Sequence, residues 1–500
     1  MKEDSPRDAG EPVGDMPPEE FREWGREMVD WIARYLAEVE EYPVLARVRP
    51  GEIRSALPAA APESGEPFDE IFQDFQEVIL PGVTHWNHPS FHGFFAVTGS
   101  GPGILGELLA AALNVNAMVW RSSPAGTELE RLVVDWLRAL VGLPDAFFGV
   151  ILDTASTSSL TALTAARHRA YPGVRETGLF GAKRGRIYAS EEAHSSIDKA
   201  TIVLGFGHDG IRKIPVDAEF RMRPDALRAA ILEDLEGGIL PVAVVATVGT
   251  TSTASPDPVA AIAEVAEEFG LWLHVDAAYA GAAAIVPEIR GHFAGWERAN
   301  SVVFNPHKWL FTPVDCSVLL TRNPDEVRGS LALTPVYLQT RDGPEATNLM
   351  DYGMALGRRF RALKLWFVLR YFGAEGVRER IRHHVRLAQS LAAWVDEDPE
   401  WERIAPVVFS TIVFRHAPRG LSGEEEDALN LEIMERVNAS GEVFLSQTRL
   451  RGRIALRLSI GNLRTRERHL LRTWELLREA AGGGVALAAI GAGRAGTTPP

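Results

Sequence analysis

A single cysteine, Cys316, occurs in 500 residues, so no intrachain disulfide can form, and the usage fits a reducing compartment. Positive charge is also scarce. The 52 Lys and Arg face 67 Asp and Glu, leaving a formal charge of −15. With no basic stripe to offset it, this excludes the positive surface that nucleic acid or an anionic membrane rewards. No run of about twenty uninterrupted apolar residues occurs, so no membrane-spanning helix is expected. Residues 1–15 are polar and acidic, and the expectation is neither a signal peptide nor an anchor but a cytoplasmic protein. There is no internal repeat, and no metal site is expected.

What is present is ample apolar material: 46% of the chain is hydrophobic, and its length implies two or three structural units. The expected division is a disordered start (1–15), a helical dimerisation segment (16–100), a large domain (101–375), a small α+β domain (376–481) and a disordered tail (482–500). Phe21, Trp24, Met28, Trp31, Ile32 and Tyr35 recur at helical spacing after Pro17, and Phe68, Ile71, Phe72 and Phe75 mark a second amphipathic stretch. Both stripes suit a core or a second subunit. From about Phe147, short apolar runs alternate with helical patterns: 242–246 reads as a strand and Ser255-Pro256 as a helix start. Val259, Ile262, Val265 and Phe269 form one helical face, and 271–275 reads as the next strand. This alternation predicts an α/β fold with a mostly parallel sheet, helices on both faces and ligands at the carboxyl ends of the strands. Cys316, at the entry to an apolar run, is expected in the core.

Asp276 stands at one such strand end, and Asn305-Pro306-His307-Lys308 follows some thirty residues later. A loop lysine and a buried carboxylate are the two groups that pyridoxal phosphate needs: an amine for a Schiff base and a partner that keeps the pyridine nitrogen protonated. Lys308 must be uncharged to react, which a pocket shared with a cation and walled by apolar groups favours. The cofactor's phosphate needs amide groups at a helix start plus hydroxyls. The run Asp153, Thr154, Ala155, Ser156, Thr157, Ser158, Ser159 lies between a predicted strand and a predicted helix. A second hydroxyl cluster, Thr247, Thr250 and Thr251, could reach the cofactor's phenolic oxygen or the substrate carboxylate. His194, after the strand 186–189, could stack on the ring as a neutral imidazole and exchange a proton.

The segments His274-Val275-Asp276-Ala277-Ala278-Tyr279 and Asn305-Pro306-His307-Lys308-Trp309-Leu310 resemble the signatures of the group II pyridoxal-phosphate decarboxylases, most closely the aromatic L-amino acid decarboxylases. Pro81-Gly82-Val83-Thr84-His85-Trp86, Ser123-Pro124-Ala125-Gly126-Thr127-Glu128-Leu129-Glu130, Ala193-His194-Ser195-Ser196 and Leu356-Gly357-Arg358-Arg359-Phe360-Arg361 recur in similar order. The resemblance covers roughly residues 16 to 480. It implies the aspartate-aminotransferase type of α/β fold, fold type I, in a homodimer with the active site at the interface. It makes Lys308 the Schiff-base lysine, Asp276 the ring-nitrogen partner and His194 the stacking base. Thr154, Ala155, Ser156, Asn305 and His307 then hold the phosphate, and Thr251 and Ala278 lie near the ring. Thr334-Pro335-Val336-Tyr337-Leu338 is similar to the family's mobile loop, so Tyr337 is implied as the acid that protonates the substrate carbon.

The same resemblance puts Trp86, Phe94, Phe95, Ala96 and Val97 around the substrate side chain, joined by Asn116 and Met118 across the dimer, with Gly357 also at the substrate and Arg358 either at the substrate or phosphate or in a structural salt bridge. Large aromatic walls suit an aromatic substrate. Phe94, Ala96 and Val97 replace the tyrosine, proline and threonine of aromatic-acting members, which weakens the basis for choosing hydroxylated rings. The expected reaction is decarboxylation of an aromatic L-amino acid, tryptophan, phenylalanine, tyrosine or DOPA, to an amine and CO₂. An aldehyde synthase, a decarboxylase of acidic amino acids and a non-catalytic binding relative are the alternatives.

Overall fold

The computed structural model describes residues 14–95, 97–333 and 346–492, with side chains described to residue 482. The chain forms two compact units, one ending at His88 and the other starting at Pro89. In the first, the helix Pro18–Glu38 carries the expected aromatic stripe, and the second stretch is the helix Phe68–Asp74 running into a wider turn, Phe75–Ile79. The two stripes meet through aromatic rings: Trp31 stands edge to face with Phe75 at 5.1 Å, and Trp24 is tilted by 44° against Phe68 at 5.0 Å.

The second unit is built on a seven-stranded sheet in the order β1-β7-β6-β5-β4-β2-β3. Its strands are β1 (Phe148–Leu152), β2 (Gly185–Ser190), β3 (Ile211–Ile214), β4 (Leu240–Thr247), β5 (Trp272–Asp276), β6 (Ser301–Phe304) and β7 (Ser317–Thr321). The pairs β3/β2, β2/β4, β4/β5 and β5/β6 are parallel. Helices cover both faces of a parallel sheet, which is why β4 to β7 read as near-continuous apolar runs. Strand β7 runs antiparallel to both β6 and β1. Two reversals restore the direction, so β1 delivers its carboxyl end to the same sheet edge as β2, β4, β5 and β6. Cys316 is fully buried beside β7. Ser255 does not start a helix: it closes a tight loop by donating to the Glu219 carbonyl (2.7 Å), and the helix Val259–Glu268 begins after Pro258.

A smaller antiparallel sheet, β10-β11-β9-β8, comprises β8 (Trp401–Arg403), β9 (Thr411–His416), β10 (Ser446–Leu450) and β11 (Arg453–Ser459). Its core, including Leu391, Ile412, Phe414, Leu456 and Leu477, is closed by helices. One of them, Gly423–Ala439, is started by a capping box between Ser422 and Glu425. The long helix Arg361–Glu397 breaks at Gly373 (φ 63°, ψ 170°), two residues before the boundary expected at 375. The last helix is Glu467–Ala492.

Candidate active site

The carboxyl edge of the large sheet gathers the residues singled out in the sequence. Asp276 ends β5, buried, with one carboxylate oxygen accepting from the Ala278 amide at 3.0 Å; the other makes no hydrogen bond among the described residues. Asn305 follows β6 and leads into the single turn Pro306–Trp309 that carries Lys308. His194 follows β2 and caps the helix Ser195–Val203: its Nδ1 accepts from the Ser196 amide at 3.2 Å, which leaves the proton of the neutral ring on Nε2. The His194 ring is exposed, so one face is open to a planar partner. Behind Asp276, His274 is fully buried between the Ser301 (2.9 Å) and Ser159 (3.0 Å) hydroxyls. This satisfies a polar residue inside an otherwise apolar strand.

Burial sets the charge states. The Lys308 amine is pulled down to about 8 by desolvation, with the Asp276 carboxylate opposing and the Arg457 cation adding to the fall. About a tenth of Lys308 is therefore a neutral nucleophile at pH 7, hundreds of times the share of an ordinary lysine. Desolvation lowers His194 against the upward pull of Asp276, which favours its neutral form. His307 is brought down to about 4, chiefly by burial and then by the neighbouring Lys308 charge.

The helix Ala155–Ala170 starts directly after β1 with no side-chain cap: Thr154 occupies the N-cap position, but its hydroxyl does not turn onto the helix. The first-turn amides of Ala155, Ser156 and Thr157 are left for an oxyanion. His307 Nδ1 accepts from the Cys316 amide at 2.9 Å, so its proton sits on Nε2, 3.3 Å from Asn305 Nδ2. Two donors thus face each other, while Asn305 Oδ1 is buried without a partner. Turning the amide end for end pairs Oδ1 with His307 and frees an N–H donor. Uncapped helix, free amide donor, a lysine of lowered pKa and an available carboxylate fit a phosphorylated pyridine aldehyde.

Arg457, on β11, was not signalled by any motif. Its guanidinium lies 4.4 Å from the Phe95 ring centroid, and Lys308 Nζ lies 5.0 Å from the same centroid. Nε donates to the Ser252 carbonyl (3.1 Å) and Nη1 to that of Phe94, while Nη2 is buried without a partner. Burial brings its pKa down to about 10. Phe95 is held by stacking on Tyr279 at 4.0 Å, and Tyr279 stacks on Trp309 at 4.8 Å. Phe94 has a left-handed backbone (φ 54°) and an exposed ring.

Other expected residues fall as follows. Thr251 and Asn116 are exposed, while Ala278 and Met118 are half-buried. Asn116 Oδ1 accepts from the Arg358 main-chain amide at 2.9 Å, beside exposed Gly357. Arg358 makes the structural salt bridge that is one of its two readings. Its guanidinium is buried against Glu130 (2.5 Å) and the Ile151 carbonyl (2.9 Å), because an arginine under β1 must meet a counter-charge there. Trp86 belongs to the first unit. Tyr337 and Ala96 lie outside the described residues. Among the described residues, no cluster of three His, Cys, Asp or Glu is arranged to hold a metal ion, and no helix is long and apolar enough to cross a membrane.

A mostly parallel sheet with such groups along its carboxyl edge, joined to a small antiparallel sheet, is the type I architecture of pyridoxal-phosphate enzymes. The family model described as the pyridoxal-dependent decarboxylase conserved domain matches residues 50–417, and the chain belongs to that family. It is a pyridoxal-phosphate-dependent carboxy-lyase. It is 39% identical to a phenylacetaldehyde synthase of Arabidopsis thaliana, covering 95% of this chain and 98% of that one. It is also 39% identical to an aromatic-L-amino-acid decarboxylase of Catharanthus roseus, covering 94% and 95%. Among solved structures, Oryza sativa TDC with PLP and tryptamine superposes with a TM-score of 0.92 at 37% identity, over 94% of this chain and 99% of that one.

Proposed function

We propose that this enzyme decarboxylates an aromatic L-amino acid, consuming one proton and releasing CO₂ and the arylalkylamine. The observation that carries the reading is the full-length similarity to proteins named for tryptophan, tyrosine and aromatic amino acid decarboxylation. When bound, pyridoxal phosphate supplies the sink for the electron pair left as CO₂ departs. Lys308 supplies the neutral amine that tethers it, and Asp276 holds the proton on its ring nitrogen. His194 covers the ring. The amides at Ala155 and Ser156, the Thr154 hydroxyl, Asn305 and His307 hold the phosphate, with Thr251 and Ala278 beside the ring. Arg457 offers its unused Nη2 to the substrate carboxylate. Phe94 and Phe95 wall the side chain, with Asn116, Met118 and Gly357 at the rim. Arg358 belongs to the framework.

The enzyme works as a homodimer. Leu105, Leu108, Leu109 and Leu113 are all exposed on the helix Gly101–Leu113, an apolar face that a second copy would cover. Asn116 and Met118 follow that helix directly, which supports an active site at the interface. We place the enzyme in the cytoplasm, in keeping with its single buried thiol.

Tyr337 is the acid that completes amine formation. A second reading, aldehyde synthesis, is favoured by the phenylacetaldehyde synthases among the relatives. It consumes O₂ and water and yields aldehyde, ammonia and hydrogen peroxide beside CO₂. Retention of both His194 and Tyr337 favours the amine. In Tyr337→Phe, amine formation should fall by about 10²- to 10⁴-fold, with aldehyde and peroxide rising; an unchanged amine yield removes Tyr337 from the proton transfer.

A further inference from the structure

The small sheet carries a second cavity, on the side of its edge strand β8 and two strands away from β11 with its Arg457. Trp394, Trp401, Trp474 and His416 line a groove of about 1050 Å³. The Trp401 ring stands 5.1 Å from Trp474 at 59° and 4.8 Å from His416 at 51°, so the aromatic rings form angled walls rather than a flat stack. His416 is 1% exposed, and neither ring nitrogen has a hydrogen-bond partner. The Glu400 and Asp398 carboxylates pull on the ring electrostatically, and the Glu400 carbonyl lies near it but outside hydrogen-bond geometry. Asn430 holds the His416 main chain from both sides, accepting from its amide and donating to its carbonyl at 2.8 Å each. The imidazole is thus fixed on the groove lining with an unused donor and an unused acceptor, a costly state for a buried ring.

The rim is acidic. Asp398 is met by Arg478 at 3.7 Å, and Arg472 reaches Glu475 at 3.3 Å and Glu479 at 3.5 Å. Glu397 and Glu400 also line the groove, both exposed, and neither makes an ion pair among the described residues. We propose that this groove binds an organic ammonium ion with an aromatic or alkyl body. The tryptophans receive the body and the cation's face, Glu397 and Glu400 supply the counter-charge, and His416 anchors a polar group. Arylalkylamines belong to this class, so the product of the reaction proposed above would be a ligand; that clause alone rests on the catalytic reading.

The test is calorimetric titration of the cofactor-loaded protein with benzyltrimethylammonium, which has no N–H and cannot condense with the cofactor, and no carboxylate for the catalytic centre. One saturable site per chain is expected. Binding should weaken by about tenfold or more in Glu397→Gln/Glu400→Gln and in Trp394→Ala, and for the uncharged carbon analogue neopentylbenzene, with kcat on the amino acid unchanged in both variants. No saturable binding, binding indifferent to those substitutions, or equal affinity for the uncharged analogue overturns the proposal. Binding that arises only after deletion of residues 483–500 overturns it too, since the chain's own end would then be the occupant. None of these outcomes bears on whether the enzyme releases an amine.

Discussion

Replacing Glu130 by alanine should destabilise the second unit through a residue that touches no reacting atom. Glu130 and Arg358 have side chains only 2% and 4% exposed, and the same carboxylate oxygen accepts from the Ile151 amide at 2.8 Å. Deleting the acid strands a buried guanidinium and an amide of β1, which costs about 3–5 kcal/mol. A unit of roughly 400 residues unfolds with an entropy of about 0.8 kcal/mol/K, so about 4 kcal/mol corresponds to a fall in Tm of about 5 °C. Scanning calorimetry of the cofactor-loaded protein at one fixed heating rate measures it. The double substitution Glu130→Leu/Arg358→Met removes both charges and should recover most of the loss. A fall below about 1 °C in Glu130→Ala, or a double variant less stable than Glu130→Ala, would refute the buried-pair reasoning. It would also return Arg358 to the list of substrate contacts.

Three further expectations follow from the same geometry. The rate at which apoenzyme takes up pyridoxal phosphate should rise with pH through about 8 and level off, as Lys308 loses its proton; in Asp276→Asn, which removes the carboxylate holding that pKa up, the rise should move to lower pH. A rise continuing toward 10 in stopped-flow absorbance would contradict a desolvated lysine. His274 and His384 are held down by burial to about 4 and about 3, below their ordinary 6.5, so they are neutral when folded and protonate on unfolding. Their contribution is complete above pH 6.5 and is lost toward pH 4 and 3, at about 1.4 kcal/mol per pH unit for each. Urea midpoints measured from pH 7 to 5 should therefore fall, and fall less steeply in His274→Gln. Leu108→Asp puts a charge on the exposed apolar face of the helix Gly101–Leu113 and should yield an inactive monomer by light scattering; an active monomer would show that the site needs no second subunit.

The parts of the site that lie close together in sequence were legible there. Asp276 ends an apolar run and Lys308 follows the next strand, so alternation alone places both at one sheet edge. The hydroxyl run after β1 reads as a helix start, although only the structure shows that Thr154 leaves the first-turn amides uncapped. Arg457 was illegible for the opposite reason. It stands 149 positions after Lys308, in a strand with no motif, and reaches Phe95 only because the small sheet packs there. Arg358 could be read two ways in the sequence, because its ion-pair partner, Glu130, lies 228 positions earlier. Ser255-Pro256 matched a helix start locally, and the tertiary contact with the Glu219 carbonyl decided otherwise.

Product analysis tests the central claim most directly. The purified, cofactor-loaded enzyme is incubated with tryptophan, phenylalanine, tyrosine, DOPA, histidine, glutamate and aspartate, and amine, aldehyde, peroxide and CO₂ are scored together. The account predicts amine and CO₂ in equal amounts from at least one aromatic acid, with no peroxide. Aldehyde with stoichiometric peroxide, or turnover confined to histidine, glutamate or aspartate, would contradict it.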